Sequence, residues 1–241
     1  MIIGVDGCSG GWVCAKGEMQ EDRIINVEIV VVSHPKDIWN ASITKMCIDM
    51  PIGLLQISNK GGREPDILAR TILGKKGASR VFSPPIRQVL YAETYQEALE
   101  ISQKTPPDGI GLSKQSFYLL PKIRQIDEWL QAKPEIQSVV CETHPELSFW
   151  AMGNQTAPSK HTQLGIAYRI DLLEQQNIWN PSFLDVLNSN GSNRKKGIKT
   201  DDILDALACM WSAGRIVQQK NKKIPSEDLW DTTGLAIGYN F

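Results

Sequence analysis

The first fifty residues hold four short apolar runs, each cut off by a turn or an acid: Ile2–Val5, Trp12–Lys16, Ile24–Val32 and Lys45–Asp49. Runs this short and this closely spaced fit strands better than helices, and β-branched side chains suit a pleated surface. Gly7-Cys8-Ser9-Gly10-Gly11 lies between the first two. It reads as a tight turn, because glycine accepts the positive φ that such turns require. The first three runs therefore predict an antiparallel meander, with the first strand stopping at Asp6. A short helix is expected around Pro35–Ser42. The fourth strand should halt at Met50-Pro51, since proline lacks the N–H that a ladder needs.

The pattern then changes. Arg63–Leu73, Thr94–Lys104 and Lys114–Ala132 have helical spacing, as in Phe117, Leu120, Ile123, Ile126 and Leu130. Gln137–Cys141 reads as a fifth strand running into Glu142-Thr143-His144-Pro145-Glu146. Thr162–Gln175 and Thr200–Val217 read as helices, the latter with Ile203, Leu204, Leu207, Met210 and Trp211 on an apolar stripe. Gly234–Tyr239 is expected to close the chain as a short strand. A meander followed by αβ units predicts an α/β fold: a mixed sheet, part antiparallel meander and part parallel strands, flanked by helices. The expected organisation is a single domain over residues 1–241, with a helical insertion at 55–135.

Composition narrows the function. With 26 Lys+Arg against 27 Asp+Glu, the net charge is −1. The molecule as a whole has no electrostatic footprint for nucleic acid, so such a partner must use a local patch. No apolar stretch reaches the ~18–20 residues of a membrane helix. The start, with Asp6 where a leader would be apolar, has no basic segment, so no targeting sequence is expected. The five cysteines are scattered and form no CxxC, which suggests reduced thiols in a cytoplasmic protein. Three histidines among scattered cysteines do not suggest a structural zinc.

Acids stand where the apolar runs stop. Asp6 and Asp49 close the first and fourth strands, Glu142 the fifth, and Asp202 and Asp205 open the last long helix. Residues three apart on a helix share a face, so Asp202 and Asp205 can point at one spot. A single Asp in such a place is usually a turn or cap residue. As a set, gathered carboxylates repel one another unless a cation neutralises them, and hard oxygens suit Mg²⁺ or Mn²⁺. Two such ions could activate water and stabilise a leaving oxygen in phosphodiester hydrolysis.

Other candidates surround the acids in sequence. His144, between Glu142 and Glu146, could move a proton near neutral pH or simply brace its loop. Gly10 and Gly11 could cradle a phosphate with backbone N–H groups, although a hairpin turn is the better explanation of them. Arg63, Arg70, Lys75, Lys76, Arg80 and Arg87 concentrate positive charge in the insertion, and Arg194-Lys195-Lys196 with Lys199 precedes the acidic helix. Arg87, in a proline-fixed loop, and Lys199 are the candidates for phosphate contact. Trp12 could stack on a base, and Trp211 reads as core.

The strand order with Asp6 and Asp49 at strand ends resembles the RNase H-like fold. Asp202-Ile203-Leu204-Asp205-Ala206-Leu207-Ala208 resembles the DxxDALA helix of RuvC-type Holliday-junction resolvases. Five stretches resemble the domain-of-unknown-function 429 family (DUF429), predicted RNase H-like nucleases: Ile3–Trp12, Ile48–Leu54, Val81–Arg87, Glu142–Glu146 and Lys199–Leu207. The resemblance implies a hydrolase, a nuclease in which Asp6, Asp49, Asp202 and Asp205 hold two Mg²⁺ or Mn²⁺ ions. Asp6 would bridge them, with Glu142 and His144 in support. The implied partner is nucleic acid, DNA or RNA, and no membrane. A symmetric branched substrate would require paired sites and hence a homodimer. Two other classes remain open at this point: a nucleotide-binding phosphotransferase or ATPase of the actin-like superfamily, and a non-catalytic nucleic-acid-binding protein.

Overall fold

Asp6 and Asp49 end up side by side because of strand register. In the computed structural model, which describes residues 1–106, 109, 111–188 and 197–241, the elements run β1 (Ile2–Cys8), β2 (Gly11–Gln20), β3 (Arg23–Val32), β4 (Lys45–Asp49), α1 (Glu64–Gly77), α2 (Tyr95–Lys104), α3 (Lys114–Ala132), β5 (Val140–Glu142), α4 (Pro145–Gly153), α5 (Gln163–Gln175), α6 (Asp185–Asn188), α7 (Thr200–Val217), β6 (Lys223–Trp230) and β7 (Ala236–Asn240). The sheet order is β3-β2-β1-β4-β5. β1–β2 and β2–β3 are antiparallel, while β1–β4 and β4–β5 are parallel. This is the mixed α/β sheet that the sequence predicts.

The chain divides into two compact units. One takes residues 1–49, 138–223 and 240–241, the other 50–137 and 224–239. The first holds the five-stranded sheet. Along β1, Ile2, Gly4 and Asp6 alternate with Ile3 and Val5, and alternation sends the two sets to opposite faces. The register pairs Gly4 with Cys47 and Asp6 with Asp49. On that face lies α7, which is buried all round from Ile203 to Gly214. The sequence predicts one apolar stripe; a helix apolar on every side is a core helix. Gly4 is what lets it in. A Cβ there would stand 2.0 Å from Met210 N and 2.1 Å from Ala206 O, so the α7 backbone rests directly on β1.

The second unit carries α1–α3 and nearly all of the two-stranded β6–β7 sheet. Arg63 and Asp66 form a buried pair there, with Arg63 Nη1 donating to the Ile52 and Gly53 carbonyls and Tyr239 Oη donating to Asp66. No helix among the described residues is long and apolar enough to cross a membrane.

Several boundaries differ from the sequence expectation. β1 does not stop at Asp6 but continues to Cys8, because the hairpin keeps pairing through Gly7↔Trp12 and Cys8↔Gly11. What ends at Asp6 is its parallel pairing with β4. The helix expected over Pro35–Ser42 is one 3-10 turn, Pro35–Asp37, capped by His34. The fifth strand is shifted to Val140–Glu142, since Pro134–Ile136 forms a 3-10 turn before it. The closing strand is Ala236–Asn240, and its partner β6 is absent from the sequence reading.

Candidate functional site

Three carboxylates converge in the first unit where the β1–β4 pairing ends. Asp6 and Asp49 are the last aligned pair, and Asp205 comes from α7, one residue before the Ala206 carbonyl that abuts Gly4. Asp6 and Asp205 are 7% and 2% exposed. Burial, then the charges of Asp49, Asp205 and Asp202, hold the Asp6 carboxyl well above the usual carboxylate range. Burial and then Asp205 push Asp49 up to about 8. Asp205 is also raised, first by burial, and Asp202 is pushed up to about 6, again chiefly by burial. One oxygen of Asp6 accepts from the Gly7 N–H at 2.8 Å. Asp205 Oδ1 is buried and has no hydrogen-bond partner, an arrangement that costs free energy unless something else fills it.

A cation already faces this cluster. Lys160 Nζ donates to Asp205 Oδ2 at 2.6 Å and lies 3.5 Å from Asp201 Oδ2. Burial works against its charge, but Asp205, Asp6 and Asp49 outweigh that and hold the ammonium protonated above the ordinary lysine range. The loop that presents Lys160 is clamped from behind. Arg169, fully buried on α5, donates to the Pro158 carbonyl at 2.8 Å and pairs with buried Glu146 on α4. Gly165 lets the Ser159 carbonyl lie against α5, where a Cβ would come within 1.9 Å of it. Thr162 Oγ1 donates to that same carbonyl at 2.8 Å.

The remaining candidates are placed as follows. Asp202 sits in the first turn of α7, where its Oδ2 accepts from the Lys199 N–H at 2.8 Å. Its sequence partner across the helix turn is Asp205, yet Lys160 spans Asp201 and Asp205 instead. Glu142 is 3% exposed and aligns with Ile48, one step behind Asp49, although its charge still raises Asp49. His144 caps α4, its Nδ1 accepting from the Glu146 N–H at 3.3 Å. Lys199 is exposed at the N-cap of α7. Gly10 lies in the β1–β2 turn, and Gly11 starts β2 at a point where a Cβ would stand 2.4 Å from the Val32 carbonyl. Close strand packing therefore accounts for glycine at position 11. Arg87 belongs to the second unit, where it pairs with Asp127 at 2.8 Å and with Asp231. Trp12 is fully buried in β2, which removes it as a stacking platform, and Trp211 is core as expected. The Arg194-Lys195-Lys196 run lies outside the described residues.

Lys160, Asp201, Glu146 and Arg169 are not among the site candidates that the sequence singles out. Lys160 stands in a polar stretch with no periodicity, 45 positions before its partner, and nothing local marks it. Arg169 does leave a signal, a charged residue on the buried face of α5 with Gly165, Leu172 and Leu173.

A family model described as "Protein of unknown function (DUF429)" matches residues 4–229. The chain belongs to this family. The DUF429 match takes in Asp6, Asp49, Glu142, Asp202 and Asp205, together with Lys160 and Arg169. Neither a curated protein nor a solved structure matches the chain.

Hard oxygens are the donors of this site, and the orphaned Asp205 Oδ1 is one that a cation would satisfy. Among the described residues no group of three or more His, Cys, Asp or Glu side chains is spaced to hold an ion as it stands. The donor set fits Mg²⁺ or Mn²⁺ in chemistry, while Lys160 supplies the positive charge in this arrangement.

Proposed function

We propose that this DUF429 chain is a metal-dependent nuclease: a hydrolase that cleaves phosphodiester bonds of DNA or RNA at the Asp6–Asp49–Asp205 cluster. The observation that carries the reading is Asp205, a buried carboxylate with an unpartnered oxygen, set beside two more carboxylates whose pKa values are raised by burial and by neighbouring carboxylates. Groups pushed out of their ordinary range by burial and like charges concentrate at functional sites. Mg²⁺ or Mn²⁺ bound there would activate water for attack on phosphorus and take up charge on the leaving oxygen. Asp6, Asp49, Asp202 and Asp205 would be the residues that hold such ions. Glu142, behind Asp49, adds negative charge to the same end of the sheet. His144 holds the α4 terminus that carries Glu146, and through Arg169 that residue steadies the Lys160 loop.

The same reading places the protein in the cytoplasm. No cysteine among the described residues is in a disulfide, and Cys47 Sγ lies 3.4 Å from Cys141 Sγ across β4–β5. A reducing compartment would keep such a pair as thiols. An actin-like phosphotransferase is the competing class. Its kinases double a sheet domain, whereas the second unit here is built on α1–α3 and the β6–β7 pair.

Calorimetric titration with MnCl₂, with and without a non-hydrolysable ATP analogue, separates the classes. Wild type is expected to bind Mn²⁺ independently of nucleotide, and Asp6→Asn to lose that binding while melting as a folded protein. Binding that requires the nucleotide would overturn the nuclease reading in favour of the phosphotransferase. Binding unchanged in Asp6→Asn would remove Asp6 from the site.

A further inference from the structure

Asp205 presents its two oxygens in different states. Oδ1 is buried and unpartnered, while Oδ2 is held by Lys160 Nζ at 2.6 Å. A carboxylate's oxygens are only about 2 Å apart, and Mg²⁺ or Mn²⁺ sits about 2 Å from its donors. A divalent ion taken up by Oδ1 would therefore face an ammonium a few ångströms away, with little water between them. Like charges at that separation, in a site this shielded, repel strongly.

Lys160 has somewhere to go. Its side chain is 32% exposed, whereas that of Asp205 is 3% exposed, so the ammonium can leave on its flexible stem while the carboxylate cannot. Its backbone is meanwhile held by buried Arg169 on the Pro158 carbonyl, and by buried Gly165 and exposed Thr162 at Ser159. A charge whose base is held by a buried ion pair, and whose partly exposed tip rests on Asp205, is built to reach this cluster and to be displaced from it.

We propose that Lys160 is a built-in competitor for the cation site, so that loading of the divalent ion is coupled to release of its ammonium from Asp205. The inference rests on the reading of Asp6, Asp49 and Asp205 as that site. It makes Lys160 a positioning residue that sets the threshold for metal loading and keeps the carboxylates compensated below that threshold.

The test is a calorimetric titration of the full chain with MnCl₂, comparing wild type with Lys160→Met, Lys160→Arg and Gly165→Ala, each checked by thermal melting. Lys160→Met keeps the stem and removes the charge, and it should bind Mn²⁺ about tenfold or more tightly than wild type. That is the lower end of what one nearby opposite charge does to a carboxylate's affinity for a proton. Lys160→Arg keeps the charge and should show no such gain. Gly165→Ala pushes the Ser159 carbonyl off α5 and draws Lys160 away intact, so it should tighten binding in the same direction and serves if Lys160→Met does not fold. If wild type binds and neither Lys160→Met nor Gly165→Ala binds more tightly, competition is overturned while the metal site stands. If Lys160→Arg tightens as much as Lys160→Met, charge is not the cause and the inference fails. If the folded wild type and variants all ignore Mn²⁺, the cation-site reading falls and the inference with it.

Discussion

Gly4→Ala is expected to cost about 3 kcal/mol or more of folding stability and to abolish Mn²⁺ binding, although position 4 touches no ligand. Overpacking a core usually costs 1–3 kcal/mol because side chains can shift. Here the added methyl would meet Met210 N, Ala206 O and Cys209 C at 2.0, 2.1 and 2.7 Å. These are backbone atoms of a helix buried from Ile203 to Gly214, so α7 as a whole must move by more than about 1 Å to restore contact distance. Asp205 would be carried away from Asp6 and Asp49. Urea unfolding together with an Mn²⁺ titration reads both effects. A Gly4→Ala protein with wild-type stability would show that α7 does not rest on β1 as described.

Asp49→Asn is expected to do the opposite for stability, adding about 2 kcal/mol or more at pH 8 while destroying hydrolysis. Burial and the charge of Asp205 push the Asp49 carboxyl from its ordinary value of 3.8 to about 8. A folded-state pKa above the unfolded one means that the native protein holds a proton which the unfolded chain has released. Stability therefore falls as pH rises from about 4 to about 8, by up to about 1.4 kcal/mol per pH unit for one group. Asp202, pushed up to about 6, contributes with the same sign over the lower part of that window. Asparagine removes the charge at nearly constant shape, so the gain of the variant should be largest at pH 8 and shrink towards pH 5. Denaturant unfolding of both proteins at pH 5 and pH 8 measures it. A less stable Asp49→Asn at pH 8 would mean that the carboxylate is a net support of the fold. Where function needs a strained group, stability and activity trade against each other in this way.

Much of this was legible in the sequence, for identifiable reasons. β4, α3 and α7 have the expected bounds, because Pro51 stops the strand and sustained 3.6-residue spacing marks the helices. Asp6, Asp49 and Asp205 could be singled out because each borders a periodic apolar run: Asp49 ends β4, Asp6 ends the parallel pairing of β1, and Asp205 lies in the first two turns of α7. Two kinds of feature left none. The β1 boundary depends on which partner is counted, since pairing with β4 ends at Asp6 while pairing with β2 runs on to Cys8. Lys160 is brought to Asp205 by a tertiary clamp, Arg169 with Glu146 and Gly165, whose members lie on two helices and the loop between them. Local spacing carries no record of such a contact. Arg87 shows the converse: its setting in a proline-fixed loop suggested a phosphate contact, yet its guanidinium is engaged by Asp127 and Asp231.

The central claim is that the three-carboxylate cluster is a divalent-cation-dependent phosphodiesterase site, and hydrolysis tests it most directly. Wild type and Asp205→Asn should be assayed on bis(p-nitrophenyl) phosphate and on single-stranded, duplex and branched DNA and RNA, with Mn²⁺, with Mg²⁺ and with EDTA. The account predicts turnover by wild type on at least one of these substrates, loss of that turnover in EDTA, and a fall of about a thousandfold or more in Asp205→Asn, since stabilisation of developing charge is usually the largest single catalytic contribution. Hydrolysis by Asp205→Asn at the wild-type rate, or turnover indifferent to EDTA, would contradict it.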